Sequence, residues 1–132
     1  MKEIEVITQE PMQIIDVTDR VTQQVKAAGE GIAFVSIPHT TAALLLSEDD
    51  EELRRDLLRI ARCWLQDCGP FEHRKKNNPN TVAHVLSSFA GTSVVIGVSK
   101  GKLELGAYQR ILFLELDGPK TRKVRLRTAA AS

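Results

Sequence analysis

The chain has 132 residues, 42% of them hydrophobic and 27% charged, which suits one globular domain over 1–132 and excludes disordered and fibrous classes. Its 18 Lys and Arg face 17 Asp and Glu, a formal charge of +1, so the overall balance gives no pull toward nucleic acid or an anionic membrane. No apolar stretch approaches the roughly 20 residues of a membrane helix, and the opening MKEIEVI does not read as a signal peptide, so the expected location is cytoplasmic.

Residues 2–9, KEIEVITQ, alternate as a strand does, and MQIID after Pro11 reads as its hairpin partner or its continuation. Asp16 is placed to cap a helix over 17–28, in which Val17, Val21, Val25 and Ala28 recur at helical spacing before Gly29 and Gly31. GIAFVSI at 31–37 and TAALLLS up to Ser47 predict two strands, with a turn or bulge at Pro38 and His39 between them. From Asp49 a second helix follows, acidic in its first turn, with Leu53, Leu57, Ala61, Trp64 and Leu65 in one apolar stripe and the arginines on its outer faces. Cys63 and Cys68 are too few for a disulfide framework or a structural zinc site and read as reduced, partly buried thiols.

The segment 66–79, rich in Gly, Pro, Asn and charge, predicts a surface loop carrying His73. Asn78 and Pro79 suit the cap and first position of a third helix running to Ala90 and stopped by Gly91. Beyond it TSVVIGV, KLELG, QRILFLELD and TRKVRLRT read as strands of an antiparallel meander with turns at SKGK and DGPK, and the AAAS tail is expected to fray. The class is α+β, strands segregated from helices.

Some polar residues stand where the periodicity does not call for them. A helical wheel puts Val82, Val85, Leu86 and Phe89 on the buried side of the third helix and Asn80, His84, Ser87 and Ser88 opposite, facing solvent or a surface that comes to meet them. In QRILFLELD, Leu112, Leu114 and Leu116 share one face, while Gln109, Glu115 and Asp117 share the other with Ile111 and Phe113. Lys123, Arg125 and Arg127 form a solvated basic face, whereas Arg122 is in phase with Val124 and Leu126 and needs a carboxylate or a phosphate; Asp117 across the DGPK turn is the expected partner. His39, His73 and His84 are the three histidines, each beside a turn or polar stripe. No P-loop, G-x-G-x-x-G or nucleophile elbow occurs, so neither a nucleotide cofactor nor covalent serine catalysis is expected.

Taken together, PHTTAALLLSEDD, FEH, PNTVAHVLSSFAG and GKLELGAYQRILFLELDGPKTRKV resemble the YjbQ-like family, described as secondary thiamine-phosphate synthase enzymes, over nearly the whole chain. His39, Thr40 and Thr41 match its His-Thr-Thr segment, His73 its loop histidine, and Asn80 and His84 its helix pair. Gln109, Glu115, Asp117, Gly118 and Pro119 match its last motif, while Ser47, Leu86, Ala107, Tyr108 and Lys120 depart from the usual pattern. The resemblance implies an antiparallel sheet curved into a half-barrel with about three helices packed on it, a homotrimer, and the joining of a pyrimidine pyrophosphate to a thiazole phosphate as a secondary activity.

The resulting expectation is an enzyme acting on a phosphorylated small molecule. His39, His73, His84, Asp117 and Arg122 are its candidate catalytic residues, and Thr40, Thr41, Asn80, Gln109 and Lys120 its candidate substrate contacts. Three neutral imidazoles suit a divalent cation, zinc first, so His39, His73 and His84 are the candidate ligands, oriented by Glu48, Asn80 or Glu115. A metal-free acid–base enzyme and a non-catalytic metal- or ligand-binding trimer are the alternatives.

Overall fold

The computed structural model describes residues 1–66, 68–72 and 80–131, without the side chains of Leu65 and Gln66. Among the described residues the helices and strands follow in chain order as β1 Lys2–Ile7, β2 Gln13–Asp16, α1 Thr18–Val25, β3 Gly31–Ser36, β4 Ala42–Ser47, α2 Glu51–Gln66, α3 Thr81–Ala90, β5 Ser93–Ser99, β6 Lys102–Leu103, β7 Arg110–Glu115 and β8 Thr121–Ala130. A 3-10 turn at Lys26–Ala28 continues α1, so the predicted first helix is present with a tighter last turn. The Asp16 carboxylate accepts from Thr18 N at 2.9 Å, satisfying one of the amides that the helix start leaves open.

All strand pairs are antiparallel, in a five-stranded sheet ordered β1-β8-β3-β5-β6 and a three-stranded sheet ordered β2-β7-β4. Hydrogen bonds from Ile37 N to Thr92 O and from Leu116 N to Thr41 O carry the chain across the corners between them. The whole curls into a half-barrel with three helices, the predicted architecture.

Two cores result. Alternate residues of the five-stranded sheet (Ile4, Val6, Ala33, Val35, Ile96, Val98, Val124, Leu126) pack with Val21 and Val25 of α1 against Ile111 and Phe113 of β7. The other face of β7, Leu112 and Leu114 with Leu116 beyond it, packs under α2 and α3 with Ile14, Ala61, Ala83 and Leu86. β7 is thus buried on both sides, and each fully buried large apolar side chain there contributes about 1.5–3 kcal/mol.

That placement corrects the predicted meander. β7 leaves β6 for the other sheet, and β8 crosses back to lie between β1 and β3. A strand apolar on both faces belongs between two layers, and only the layers decide its neighbours. For the same reason β2 is not the hairpin partner of β1: it pairs with β7, while β1 pairs with β8. The tail does not fray at its alanines, since Ala129 and Ala130 pair with Ile32 and Gly31 and Ala131 N donates to Glu30 O at 3.1 Å.

The helix faces also differ from the wheel. On α3 the buried residues are Ala83, Leu86 and Ser87, and Phe89 is 74% exposed. Ala83 and Ser87 are small enough to let the helix close on the three-stranded sheet, and the Ser87 hydroxyl donates to Ala42 O at 2.6 Å, so its burial leaves nothing unsatisfied. Phe89 turns outward onto Trp64, ring centroids 5.8 Å apart, and Trp64 leaves the stripe predicted for α2. Arg54 moves the other way: it forks onto Asp49 at 2.6 and 2.7 Å and donates to Ile14 O at 2.9 Å. Cys63 and Cys68 are exposed rather than partly buried. The predicted helix start at Asn78 and Pro79 and the loop position His73 lie outside the described residues, as does the Leu65 side chain; α3 begins at Thr81 with Asn80 as its cap. Among the described residues no helix is long and apolar enough to cross a membrane.

Candidate functional site

β3 ends at Ser36, and after the buried Ile37 the next residues turn the corner into β4. His39 sits in that corner beside β8. Lys123 N of β8 donates to His39 Nε2 at 2.9 Å, so Nε2 carries no proton there and the neutral ring holds its proton on Nδ1. Burial, and after it the positive charge of Arg122, lower the His39 pKa from its ordinary 6.5, which favours that neutral form.

Arg122 lies beneath this corner, 4% exposed, against the fully buried Glu115. Its Nε donates to both Glu115 oxygens at 2.9 and 3.1 Å, and its Nη2 donates to Glu115 Oε2 and to the carbonyl and hydroxyl of Thr41 at 3.0 and 2.9 Å. Glu115 also accepts from Thr8 Oγ1 at 2.7 Å and from the amides of Leu116 and Asp117 at 3.0 and 3.2 Å. Burial alone would raise the Glu115 pKa; the bonds from Arg122, Thr8 and Asp117 N outweigh it and hold the carboxyl below its ordinary value. The partner of Arg122 is therefore Glu115 rather than Asp117. Alternation placed both residues on apolar faces, and two opposite charges sharing one core must meet.

Asp117 instead accepts from Lys120 Nζ at 2.9 Å and from Asn80 Nδ2 at 3.5 Å, linking the turn before β8 to the start of α3. One turn further along α3 comes His84, whose amide donates to Asn80 O at 3.1 Å and whose carbonyl accepts from Ser88 Oγ at 3.0 Å. The anchored Ser87 fixes this helix on β4, and His39 and His84 come to line one cavity of about 380 Å³. Thr40, Ser87, Ser88, Gly91 and Thr92 complete it. In the sequence Gly91 reads only as a helix stop and Thr92 gives no signal, because only the corner where Ile37 meets Thr92 brings them beside His39.

Of the sequence candidates, His39, Thr40 and His84 line this cavity, Thr41 and Arg122 lie buried in the ion-pair network, and Asn80, Asp117 and Lys120 form a linked group at the head of α3. Gln109 is elsewhere: it lies beyond the opposite end of β7, where its Oε1 accepts from Gly106 N at 2.9 Å. The proposed zinc ligand His73 lies outside the described residues, and among those residues no group of three or more His, Cys, Asp and Glu is spaced to hold a metal ion. A cation at His39 Nε2 would have to displace the Lys123 amide.

A family model described as UPF0047 protein YjbQ-like matches residues 2–131. A UPF0047 protein of Archaeoglobus fulgidus is 39% identical over 92% of this chain and 95% of its own. UPF0047 protein YugU of Bacillus subtilis is 35% identical over 92% and 93%. Among solved structures, a hypothetical protein of Aeropyrum pernix K1 superposes with a TM-score of 0.90 at 35% identity, covering 98% of both chains. A protein of Sulfolobus solfataricus, described as of unknown function, superposes with a TM-score of 0.92 at 29% identity, covering 98% of this chain and 96% of its own. With the family match spanning nearly the full chain and the half-barrel shared with these relatives, the protein belongs to the YjbQ-like UPF0047 family.

Proposed function

We propose that the His39–His84 cavity is the site of an enzyme that binds a phosphorylated small molecule and moves protons on it by general acid–base catalysis. The observation that carries this reading is the convergence of two imidazoles, 45 positions apart, on one hydroxyl-lined cavity of about 380 Å³. His39, neutral with Nδ1 protonated, offers a donor to a substrate oxygen without carrying charge. His84 is the proton-transfer partner. Arg122, whose Nε and Nη2 are taken up by Glu115 and Thr41, acts on the site through its positive charge on His39. Lys120, only half-buried in its pair with Asp117, is the cation available to phosphate near the head of α3.

The relatives' names assign no activity, so thiamine-phosphate synthesis rests on the resemblance alone and is one reaction of this class. A cytoplasmic location and a homotrimer belong to the same reading. Support for assembly comes from the exposed apolar side chains of Ile60, Trp64 and Phe89 on the two helices that cover β4 and β7.

Imidazole NMR titration tests the site. His39 is expected to titrate below 6.5, and inorganic pyrophosphate is expected to shift the His39 and His84 signals together. An ordinary His39 midpoint with no response to pyrophosphate at either ring sinks the proposal. Zinc calorimetry on metal-stripped wild type and His84→Ala separates the metal reading: binding in the first that is lost in the second makes the cavity a metal centre instead. Pyrophosphate binding without turnover of any phosphorylated compound leaves the ligand-binding trimer.

A further inference from the structure

At the Arg110 end of β7, a strand length of roughly 17 Å from Glu115, a second cavity of about 530 Å³ opens between α1 and the hairpin of β5 and β6. We infer that it is a binding site for a small phosphorylated organic molecule, separate from the histidine cavity. Its volume lies within the range of roughly 300–1,000 Å³ common for small-molecule sites.

Charge makes the first argument. Lys26, Lys100 and Lys102 line the cavity and are exposed, and among the described residues none of the three has a carboxylate within salt-bridge distance. The acidic groups nearby are already engaged. Asp19, 86% exposed, lines the cavity together with Arg110, which pairs with it at 3.1 Å and with Asp16 at 2.7 Å, and Glu30 accepts from Lys100 N at 2.9 Å and from Ser99 Oγ at 3.2 Å. Three like charges around one concavity repel one another, and a phosphate dianion relieves that repulsion.

The backbone that carries the three lysines is also held in place. Lys100 and Gly101 have φ of 52° and 71°, the two left-handed residues of a tight hairpin turn. Gly101 N donates to Gly29 O at 2.9 Å, and a Cβ on Gly101 would collide with the Lys26 carbonyl. The backbone beneath Lys26 is thereby locked to the turn carrying Lys100 and Lys102, so little ordering of the frame remains for binding. Half-buried Leu103 and Leu105 give the wall an apolar portion, which favours an organic phosphate over inorganic phosphate.

Calorimetry with phenyl phosphate and with inorganic phosphate tests this. Wild type is expected to bind phenyl phosphate more tightly than inorganic phosphate, with affinity falling as salt rises. The triple variant Lys26→Ala, Lys100→Ala, Lys102→Ala is expected to bind phenyl phosphate weaker on the order of tenfold. Lys102→Glu alone is expected to weaken it as well, and in a variant with His39→Ala and His84→Ala the lysine-dependent binding is expected to remain. Thermal melting verifies that the lysine variants fold. No binding at millimolar phenyl phosphate, equal affinity for the two phosphates, unchanged affinity in the triple variant, or loss in the histidine variant would each overturn the inference. The histidine proposal fails on different signals, those of its own imidazoles.

Discussion

At Glu115 a carboxylate with no exposure accepts from Arg122, Thr8 and two backbone amides, and removing its charge strands the guanidinium in the core. Glu115→Gln is expected to cost about 3–5 kcal/mol, read as a lower midpoint in urea unfolding with an unchanged slope. Because the folded pKa of Glu115 lies below its ordinary 4.5, this stabilisation is complete above pH 4.5 and is lost as pH falls through the folded value. His39 has the same sign, since the fold opposes its protonation, and its contribution declines as pH drops below 6.5. Wild type should therefore lose stability in acid, and Glu115→Gln should show a flatter dependence below pH 4.5. Alternation alone revealed that Glu115 and Arg122 sit on apolar faces. That they share one core rather than two required the sheet order, because β7 and β8 lie in different sheets.

On the scale of elements, α3 shows how a wheel reads a helix and how packing revises it. Apolar count favoured the side holding Phe89, yet the helix approaches β4 through Ala83 and Ser87, and the Ser87 hydroxyl meets the Ala42 carbonyl. Ser87→Ala leaves that carbonyl without its donor and is expected to cost about 1–3 kcal/mol, measured by thermal melting. Because the same bond fixes the helix that carries His84, the His84 imidazole signal should shift in this variant at temperatures where it is fully folded. A loss of stability with an unmoved His84 signal would show that Ser87 holds the helix without setting the site.

For the whole molecule, the two cores lie on opposite faces of β7, and Ile60, Trp64 and Phe89 of α2 and α3 are left in solvent. Their exposures of 51%, 53% and 74% make this the surface on which the proposed assembly is tested. Sedimentation is expected to give a trimer for wild type and smaller species for Phe89→Glu, whose charge cannot be buried unpaired. A monomeric wild type at micromolar concentration would remove the assembly from the functional reading.

The sequence by itself determined the α+β class, nearly every strand, the family, and the residue types from which a site would be made. Those features are local: strand alternation, helix stops at glycine, and motifs whose order along the chain is their signal. Tertiary structure alone decided that β7 lies between two layers and that Ser87 rather than Phe89 faces the sheet. It also decided that Glu115 rather than Asp117 takes Arg122, and that Gln109 lines a different cavity from the histidines, beyond the end of β7 opposite Glu115. Each of these depends on which surfaces meet, and a residue's period fixes its side of an element without fixing what that side is pressed against.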